Sequence, residues 1–269
     1  MTRYLLFTLA APMASFGTVA VGERRPTWDR PSKSQIIGLV AGSLGIERSN
    51  EVEQGKLASG LGFAVRIDDP GRLASDYHTA ERPEQSRANK EWTRSHGPIR
   101  TRADELSRPD RKAILSQREF RTGSHYTICL WRHENAECRS LEDIAEKLRA
   151  PIFAPFAGSK AHPLTFPLLP SAKKHSDPII DAANVTDAFA KFDRGLDQDV
   201  TALWHQLGVK LRALRPIYTD ASAVPPEERD AKVAQLIERR DVPESRAKWR
   251  FGVRTEALLR TAPTEGDAS

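Results

Sequence analysis

The segment from Arg24 to Ile46, RRPTWDRPSKSQIIGLVAGSLGI, combines the residue types that bind phosphate groups. A basic loop with prolines leads into a predicted helix start, where Ser32 and Gln35 have the spacing of a capping box. Arginine and lysine side chains and the N–H groups of a helix start are common protein ligands of phosphate. The segment therefore predicts a phosphate-binding site that contains Arg24, Arg25, Lys33 and Ser34.

The charge distribution identifies a second basic segment. The chain carries 41 Lys and Arg against 36 Asp and Glu, a net charge of +5, and its pI is near 9.3. Between His78 and Thr122, eleven basic residues stand against seven acidic ones, so this window holds +4 of the excess. A concentrated basic segment is typical of proteins that bind nucleic acids. A solvated, partly flexible loop explains the same charges equally well.

One residue pair has the types needed for RNA cleavage. Tyr77 and His78, with a nearby lysine, could act by general acid–base catalysis, although a structural or RNA-contacting role is the favoured interpretation. The sequence offers no metal or nucleotide motif: His133-Glu134 lacks a second histidine, and Cys129 and Cys138 do not have zinc-ligand spacing. We therefore expect no catalytic residue, no metal and no cofactor.

Hydrophobic patterning predicts the elements that position these residues. A buried strand is expected at Tyr4–Leu9, a half-buried strand at Leu61–Ile67 and a third strand at Tyr126–Trp131. Helices are expected at Ser32–Leu44 and after Ser140, which has Asp143 at the capping-box position. A proline-rich, strand-like run over residues 151–170 follows. This order predicts an α+β protein with a ferredoxin-like (RRM-like) β-α-β-β-α-β core.

The expected domain organisation has three parts. Residues 1–183 form the core and include a long basic excursion at about 77–122. Residues 184–261 form a partly helical C-terminal region, with helices predicted at Val185–Leu214 and Glu227–Arg240. That region is either an insertion that contacts a neighbour or part of the core, on which a stripe of Leu203, Leu207, Leu211 and Leu214 could pack. A disordered tail is expected at 262–269.

Seven blocks of sequence occur in the order and spacing of one known family. They are Arg3–Gly17, Arg25–Arg48, Phe63–Arg66, Asp76–Thr79, Pro155–Gly158, Pro163–Leu168 and Arg239–Pro243. Together they resemble the CasD group of the Cas-five family (RAMP superfamily), which belongs to type I-E CRISPR Cascade complexes. The match is specific over about residues 3–170. Residues 171–236 match poorly, and helices there depart from a family whose C-terminal part is more strand-like.

The resemblance implies a non-catalytic subunit that binds the 5′ handle of the CRISPR RNA (crRNA) and caps the Cascade backbone in antiviral defence. The basic excursion corresponds to the family's thumb, which folds over the RNA. Neighbours would be a CasC-type backbone subunit and a CasA-type large subunit, with target DNA contacted indirectly. The RNA-binding residues implied are Arg24, Arg25, Thr27, Lys33, Ser34, Arg48, His78, Arg82, Arg87, Lys90, Arg94, Arg102, Arg108, Gly158 and Lys160. Trp28 and Trp92 are further candidates for stacking on bases.

Three alternatives remain. The type I-C branch of the family cleaves repeat RNA without metal, but its first-helix tyrosine has no equivalent in Ser32–Leu44. Tyr4–Ala11 followed by Ala-Pro-Met-Ala also has the pattern of a short signal peptide, although the resemblance from residue 3 favours a strand. The third is a generic single-strand RNA-binding protein, but the sequence lacks the aromatic motif of such proteins.

The sequence also favours a cytoplasmic location. It has two cysteines without a disulfide pattern and no run long enough to span a membrane.

Overall fold

The computed structural model describes residues 1–18, 20, 22–169, 177–196, 198–206, 209, 214–245 and 248–260. They form two compact units. The first, termed the core unit, comprises Met1–Phe16, Trp28–Arg72 and the chain from Arg121 onward. The second, termed the ribbon unit, comprises Gly17–Thr27 and Leu73–Phe120. The predicted tail at 262–269, Leu207 and Leu211 lie outside the described residues.

Strands make up most of the regular structure, and most pairs are antiparallel. Seven of them follow the order β6-β1-β5-β3-β7-β9-β8 in one sheet, and β2 and β4 pair with β5 off this path. The strands are β1 (Thr2–Ala14), β2 (Arg24–Arg25), β3 (Leu61–Asp69), β4 (Arg72–Pro83), β5 (Arg111–Arg132), β6 (Ile179–Ala182), β7 (Ile217–Asp220), β8 (Val233–Ser245) and β9 (Arg250–Leu259).

Eight α-helices accompany the strands in the described part of the chain. They are α1 (Lys33–Ser43), α2 (Glu51–Gly60), α3 (Arg87–His96), α4 (Arg102–Leu106), α5 (Leu141–Arg149), α6 (Val185–Gly195), α7 (Gln198–Gln206) and α8 (Arg229–Lys232). Two of them start as predicted: Ser32 and Gln35 form a capping box before α1, and the Ser140 side chain accepts the Asp143 N–H before α5. The protein is thus a mixed α/β protein dominated by an antiparallel sheet.

The central strands of the core unit bury side chains on both faces. In β1, Leu5 and Phe7 pack in one apolar cluster with residues of α1, α2 and α5, whereas Leu6 packs in a second cluster with residues of α6. The prediction of a buried first strand is confirmed. The half-buried prediction for Leu61–Ile67 is wrong, because α6 covers the second face of β3 and every residue of that segment is buried.

The C-terminal region differs most from expectation. The helix predicted at Glu227–Arg240 is wrong beyond Lys232, where β8 begins and pairs with β9 from Val233 to Ser245. The single helix predicted at Val185–Leu214 is interrupted at Leu196, whose backbone is extended (ψ 129°). Of the helices that the structure describes, none has both the length and the apolar character needed to cross a membrane.

The described residues of the ribbon unit form no hydrophobic core. Its buried side chains are polar: Asn89 and Arg108 are 6% and 4% exposed, and no apolar side chain of its described residues is fully buried. Hydrogen bonds organise it instead. The Asn89 amide donates to the backbone oxygens of Glu84 and Asp110 at 2.8 and 2.7 Å, which ties the start of α3 to the start of β5.

Gly158 provides a test of backbone packing in the core unit. Its φ is +84°, and a Cβ there would lie 1.8 Å from the Ser15 carbonyl oxygen. We expect Gly158→Ala to lower the free energy of unfolding by about 2–4 kcal/mol, measured by chemical denaturation, because the backbone itself must move. Gly97→Ala is the matched control, since its φ is +85° but nothing lies within 4 Å. Equal losses in the two variants would contradict the clash.

Candidate nucleic-acid interface

The predicted arginine pair of the N-terminal loop lies in the ribbon unit. Arg24 and Arg25 form β2, which pairs with β5 in parallel at Gln117 and Arg118. Glu119 holds this segment: its carboxylate accepts hydrogen bonds from the Arg24 guanidinium (3.0 Å) and the Thr27 N–H (3.3 Å). The Arg24 side chain nevertheless stays 69% exposed. The segment is therefore anchored and still presents cations to solvent.

Helix α3 presents a row of basic side chains. Ser86 caps its start, and Arg87, Lys90 and Arg94 share one face because residues three and four apart are neighbours on a helix. Arg87 pairs with Glu91 at 2.9 Å. Lys90 and Arg94, together with Arg82 at the end of β4, are exposed and have no side-chain partner within the described chain. These three cations are therefore available to contact phosphate.

Two other predicted cations of this unit have partners within it. Arg108 is buried, donates to the Asn89 carbonyl oxygen at 3.0 Å and lies 4.1 Å from the Trp92 ring centre. Trp92 also stacks on His96 at 4.1 Å, so its ring already contacts two neighbouring side chains. Arg102 donates to the Glu81 carbonyl oxygen at 3.0 Å and pairs with Glu105. Arg108 and Trp92 therefore have structural roles here.

Tyr77 and His78 do not converge on one point. Both lie on β4, where successive side chains point to opposite faces of the strand. The His78 ring lies 3.3 Å from the Asp76 carboxylate on its own face, and Tyr77 is 70% exposed. An acid–base pair acting on the same RNA phosphate would need both side chains on one side. This geometry does not support the pair as a catalytic unit.

The start of α1 lies in the core unit, and its polar groups have protein partners. The Lys33 ammonium pairs with Asp220 at 3.0 Å, and both side chains are 8% exposed. The Lys33 N–H donates to the Asp241 carboxylate at 2.9 Å. The buried Ser34 hydroxyl lies 3.0 Å from that of Ser32. The protein's own carboxylates therefore occupy the groups that the sequence assigned to a phosphate.

Those carboxylates belong to a buried ion network that joins α1 to the β8–β9 hairpin. Glu256, fully buried, accepts hydrogen bonds from Arg30 (2.5 Å), Arg254 (2.8 Å) and Arg239 (3.4 Å). Arg254 also donates to Asp241 at 2.7 Å and to Asp220 at 3.0 Å. The Arg30 guanidinium lies 3.5 Å from the Tyr218 ring centre. Each buried charge is thus paired, as a low-dielectric site requires.

Charge pairing decides the ionisation of this network. Burial alone would raise the pKa of Glu256, but Arg30, Arg239 and Arg254 lower it below its ordinary value. A second buried ion network lies on the other face of β3, and ion pairing keeps its carboxylate ionised in the same way. Burial opposes ionisation of Asp68, yet the guanidinium of Arg66 at 2.7 Å holds its pKa well below the usual range. Both carboxylates therefore stay charged in the folded protein.

The remaining predicted residues are separate from these groups. Lys160 is exposed in the loop after α5, and Gly158 packs against the backbone of Ser15 in the same region. Arg48 lies after α1 with its guanidinium 4.0 Å from the Trp249 ring centre. The structure thus divides the predicted set among the ribbon unit, the buried start of α1, and two loops of the core unit.

An open cavity of about 560 Å³ adjoins the start of α1. Lys33, His133, Asp220 and Arg254 contribute to its lining, together with side chains of β8 and β9. Burial and then the Lys33 charge lower the pKa of His133, so its imidazole is neutral near pH 7. The lining contains no tyrosine, and no cluster suited to a metal occurs among the described residues. The cavity does not assemble the Tyr/Lys/His set of the cleavage hypothesis.

Sequence analysis recognised the block Arg239–Pro243 but missed the network that it serves. The sequence does carry a signal for this network, in the spacing of its charged residues. Arg239 and Asp241 are two residues apart in one strand, and Arg254 and Glu256 are two residues apart in the next. Charged residues at alternate positions of paired strands share a face, so opposite charges on both strands indicate cross-strand ion pairs.

Comparisons with known proteins agree with this architecture. The family model described as "CRISPR-associated protein (Cas_Cas5)" matches residues 4–256. A curated relative, "CRISPR system Cascade subunit CasD" of Escherichia coli (strain K12), is 27% identical over 186 residues, which cover 66% of this chain and 75% of that protein.

Two solved structures are similar over nearly the whole chain. One, titled "CRISPR RNA-guided surveillance complex", has a TM-score of 0.57 and 21% identity, and the match covers 97% of this chain and 95% of that one. The other, "Crystal structure of Cas protein", has a TM-score of 0.57 and 20% identity, with 95% and 94% covered. At these identities the likeness shows a shared fold.

Replacing Glu256 by glutamine tests the buried network. The change leaves Arg30, Arg239 and Arg254 buried without their common counter-charge, so we expect a loss of about 3–5 kcal/mol in the free energy of unfolding. Urea denaturation measures it. Glu142→Gln is the control, because Glu142 pairs with Arg3 in an exposed bridge and should change stability by less than about 1 kcal/mol. Similar losses in both variants would contradict the role of the network.

The free energy of unfolding at low pH should depend on the Glu256 and Asp68 carboxylates. Because the folded pKa values of Glu256 and Asp68 are depressed, their stabilisation is complete above their unfolded values and is lost as the pH falls through the folded ones. We expect the free energy of unfolding to decline progressively below about pH 4.5, the ordinary glutamate value. In Glu256→Gln the decline should be shallower. An unchanged slope in that variant would show that Glu256 already titrates normally in the folded protein.

Proposed function

Since the chain belongs to the Cas_Cas5 family of CRISPR-associated proteins, we propose that it is a non-catalytic subunit of a type I-E Cascade surveillance complex that binds the crRNA 5′ handle. Its relative in Escherichia coli carries the name of a Cascade subunit. A CasC-type backbone subunit and a CasA-type large subunit are the proposed neighbours. The fold is proposed to contain a ferredoxin-like core, which the strand order β6-β1-β5-β3 with helices in the β1–β3 and β5–β6 connections supports.

The observation that carries the proposal is the set of exposed cations in the ribbon unit. Arg82, Lys90 and Arg94 have no competing carboxylate partner within the described chain, and Arg24 and Arg25 lie in an anchored, exposed strand. Unpaired cations gain most from a phosphate, because no internal ion pair has to be broken first. His78, Arg87, Arg102 and Lys160 are proposed as supporting contacts. Lys33, Ser34 and Arg108 have internal partners and are proposed to shape the protein.

Cleavage of repeat RNA is not favoured by any feature of the residues that the structure describes. Tyr77 and His78 point to opposite faces of β4, and α1 contains neither tyrosine nor histidine. The cavity beside α1 has a lysine and a histidine, but Asp220 already holds that lysine. A binding role does not require these groups to act together on one phosphate, so the binding proposal is the simpler one.

A charge-reversal variant tests the RNA-binding surface. Arg82→Glu combined with Arg94→Glu should weaken binding of a labelled repeat-derived RNA, measured by fluorescence anisotropy over a salt series. The magnitude of the log–log salt slope should fall by about 1.4, because each phosphate contact contributes about 0.7 on a single strand. Arg149→Glu, at the exposed end of α5, is the matched control and should leave the slope unchanged.

The same variants test the function in cells. Tagged wild-type protein, expressed with CasA- and CasC-type proteins and a repeat–spacer array, should recover RNAs of uniform length that begin with a repeat-derived handle. The double variant should release this RNA at lower salt than the Arg149→Glu control does. Recovery of random RNA fragments by the wild type would refute handle binding, and equal release from all variants would refute the assigned surface.

A further inference from the structure

Strands β4 and β5 of the ribbon unit have two faces, and contacts between their side chains show which residues share a face. Side chains alternate between the two faces of a strand, so side chains that touch across neighbouring strands lie on the same face. Gln117 of β5 hydrogen-bonds Ser75 of β4 at 3.3 Å. Arg111 of β5 pairs with Glu81 of β4 at 3.5 Å. These four residues therefore lie on one face, and the residues at the intervening positions lie on the opposite face.

Strand β2 adds one arginine to each face. It pairs in parallel with β5, and residues directly opposite in neighbouring strands point to the same side. Arg24 is opposite Gln117, and its guanidinium bonds the Glu119 carboxylate at 3.0 Å. The two arginines on the face of Gln117, Arg24 and Arg111, thus both have a carboxylate partner. Arg25 is opposite Arg118, so it lies on the other face.

That other face carries the uncompensated charge of these strands. Its exposed cations are Arg25, Arg82, Lys112 and Arg118. Among the described residues of the ribbon strands, the one carboxylate on this face is Asp76, which lies 3.3 Å from the His78 ring. Lys112 and Arg118, like Arg82, have no carboxylate partner within the part of the chain that the structure describes. We call these four cations the cationic face.

The two faces also differ in the groups that could recognise a base. Tyr77 and Gln117 lie on the paired face, where a ring and an amide could stack on or hydrogen-bond a base. On the cationic face, the positions of β5 between Lys112 and Arg118 are Ile114 and Ser116. Phosphate contacts hold a nucleic-acid strand in place without reading its sequence. The composition of the cationic face therefore fits the RNA backbone.

We propose that the RNA backbone follows the cationic face, and that Lys112 and Arg118 contact its phosphates together with Arg25 and Arg82. The inference rests on the proposed function, which supplies the RNA, and it adds two residues that the sequence had not singled out. Arg24 contributes less, because its pair with Glu119 has to be broken first. Binding by this face is independent of base sequence, since its contacts are made to phosphates.

Two adjacent side chains of β5 provide matched variants. Ile114 lies on the cationic face and is 36% exposed, whereas Leu115 lies on the paired face and is 49% exposed. Ile114→Glu and Leu115→Glu therefore add the same charge on opposite faces. Near physiological salt the Debye length is about 8 Å, so a charge on the far face is largely screened from the RNA.

A second variant removes charge and leaves the apolar side chains unchanged. It combines Lys112→Gln with Arg118→Gln, and Arg111→Gln is the control on the paired face. Fluorescence anisotropy over a salt series measures binding of a labelled repeat-derived RNA and of an RNA with the same bases in permuted order. Limited proteolysis of each free chain checks that the ribbon stays ordered.

We expect Ile114→Glu to raise the Kd for RNA severalfold and Leu115→Glu to leave it unchanged. The double glutamine variant should lower the magnitude of the log–log salt slope by about 1.4, because each phosphate contact contributes about 0.7 on a single strand. Its loss of affinity should be the same for both RNA sequences. Arg111→Gln should leave the slope unchanged.

The opposite results are equally clear. Equal effects of the two glutamate variants would overturn the assignment of the face, and a loss confined to the repeat-derived RNA would overturn the backbone contacts. If proteolysis shows that Ile114→Glu disorders the ribbon, the double glutamine variant decides, and an unchanged salt slope overturns the proposal. If the wild type binds neither RNA, the proposed function fails together with this inference.

Discussion

The contact on which the core unit depends is the buried carboxylate of Glu256 against three guanidinium groups. Arg30 comes from the segment before α1, Arg239 from β8 and Arg254 from β9, so one side chain of β9 links the segment before α1 to the β8–β9 hairpin. Removal of a charge from water is unfavourable unless opposite charges and hydrogen bonds replace the water. An arrangement that separated these groups would leave buried charges unpaired. The network fixes the hairpin against the start of α1.

This constraint changes the role of the α1 N-terminus. An isolated capped helix start beside a lysine would suit a phosphate, but Asp241 accepts the Lys33 N–H and Asp220 pairs with its ammonium. The internal carboxylates act as built-in anions at the positions where an external one was expected. Exposed cations without such partners, among them Lys90 and Arg94 of α3 and Arg82 at the end of β4, are the groups that stay available to an external anion.

Local signals in the sequence were sufficient to predict several helices and strands. They failed where contacts with residues distant in the sequence determine the structure. The capping box at Ser32 predicted the start of α1, because both of its hydrogen bonds lie within four residues. The run after Glu227 has helix-forming composition, yet from Val233 it pairs with β9 as a strand. The site shows the same limit. Composition located the basic excursion, but the sequence could not show that Lys33 meets Asp220, 187 positions away.

The ribbon unit and the core unit differ in the interactions that stabilise them. With no apolar side chain fully buried in its described residues, it gains little from the hydrophobic effect, which is the main source of stability in folded domains. Helix caps and the Asn89 hydrogen bonds define its conformation but contribute modestly each. A ligand that binds the ordered form stabilises it in proportion to its affinity and concentration. A polyanion on the α3 cations would add this stabilisation where the described residues bury no apolar side chain, so order in this unit and the proposed binding would be thermodynamically coupled.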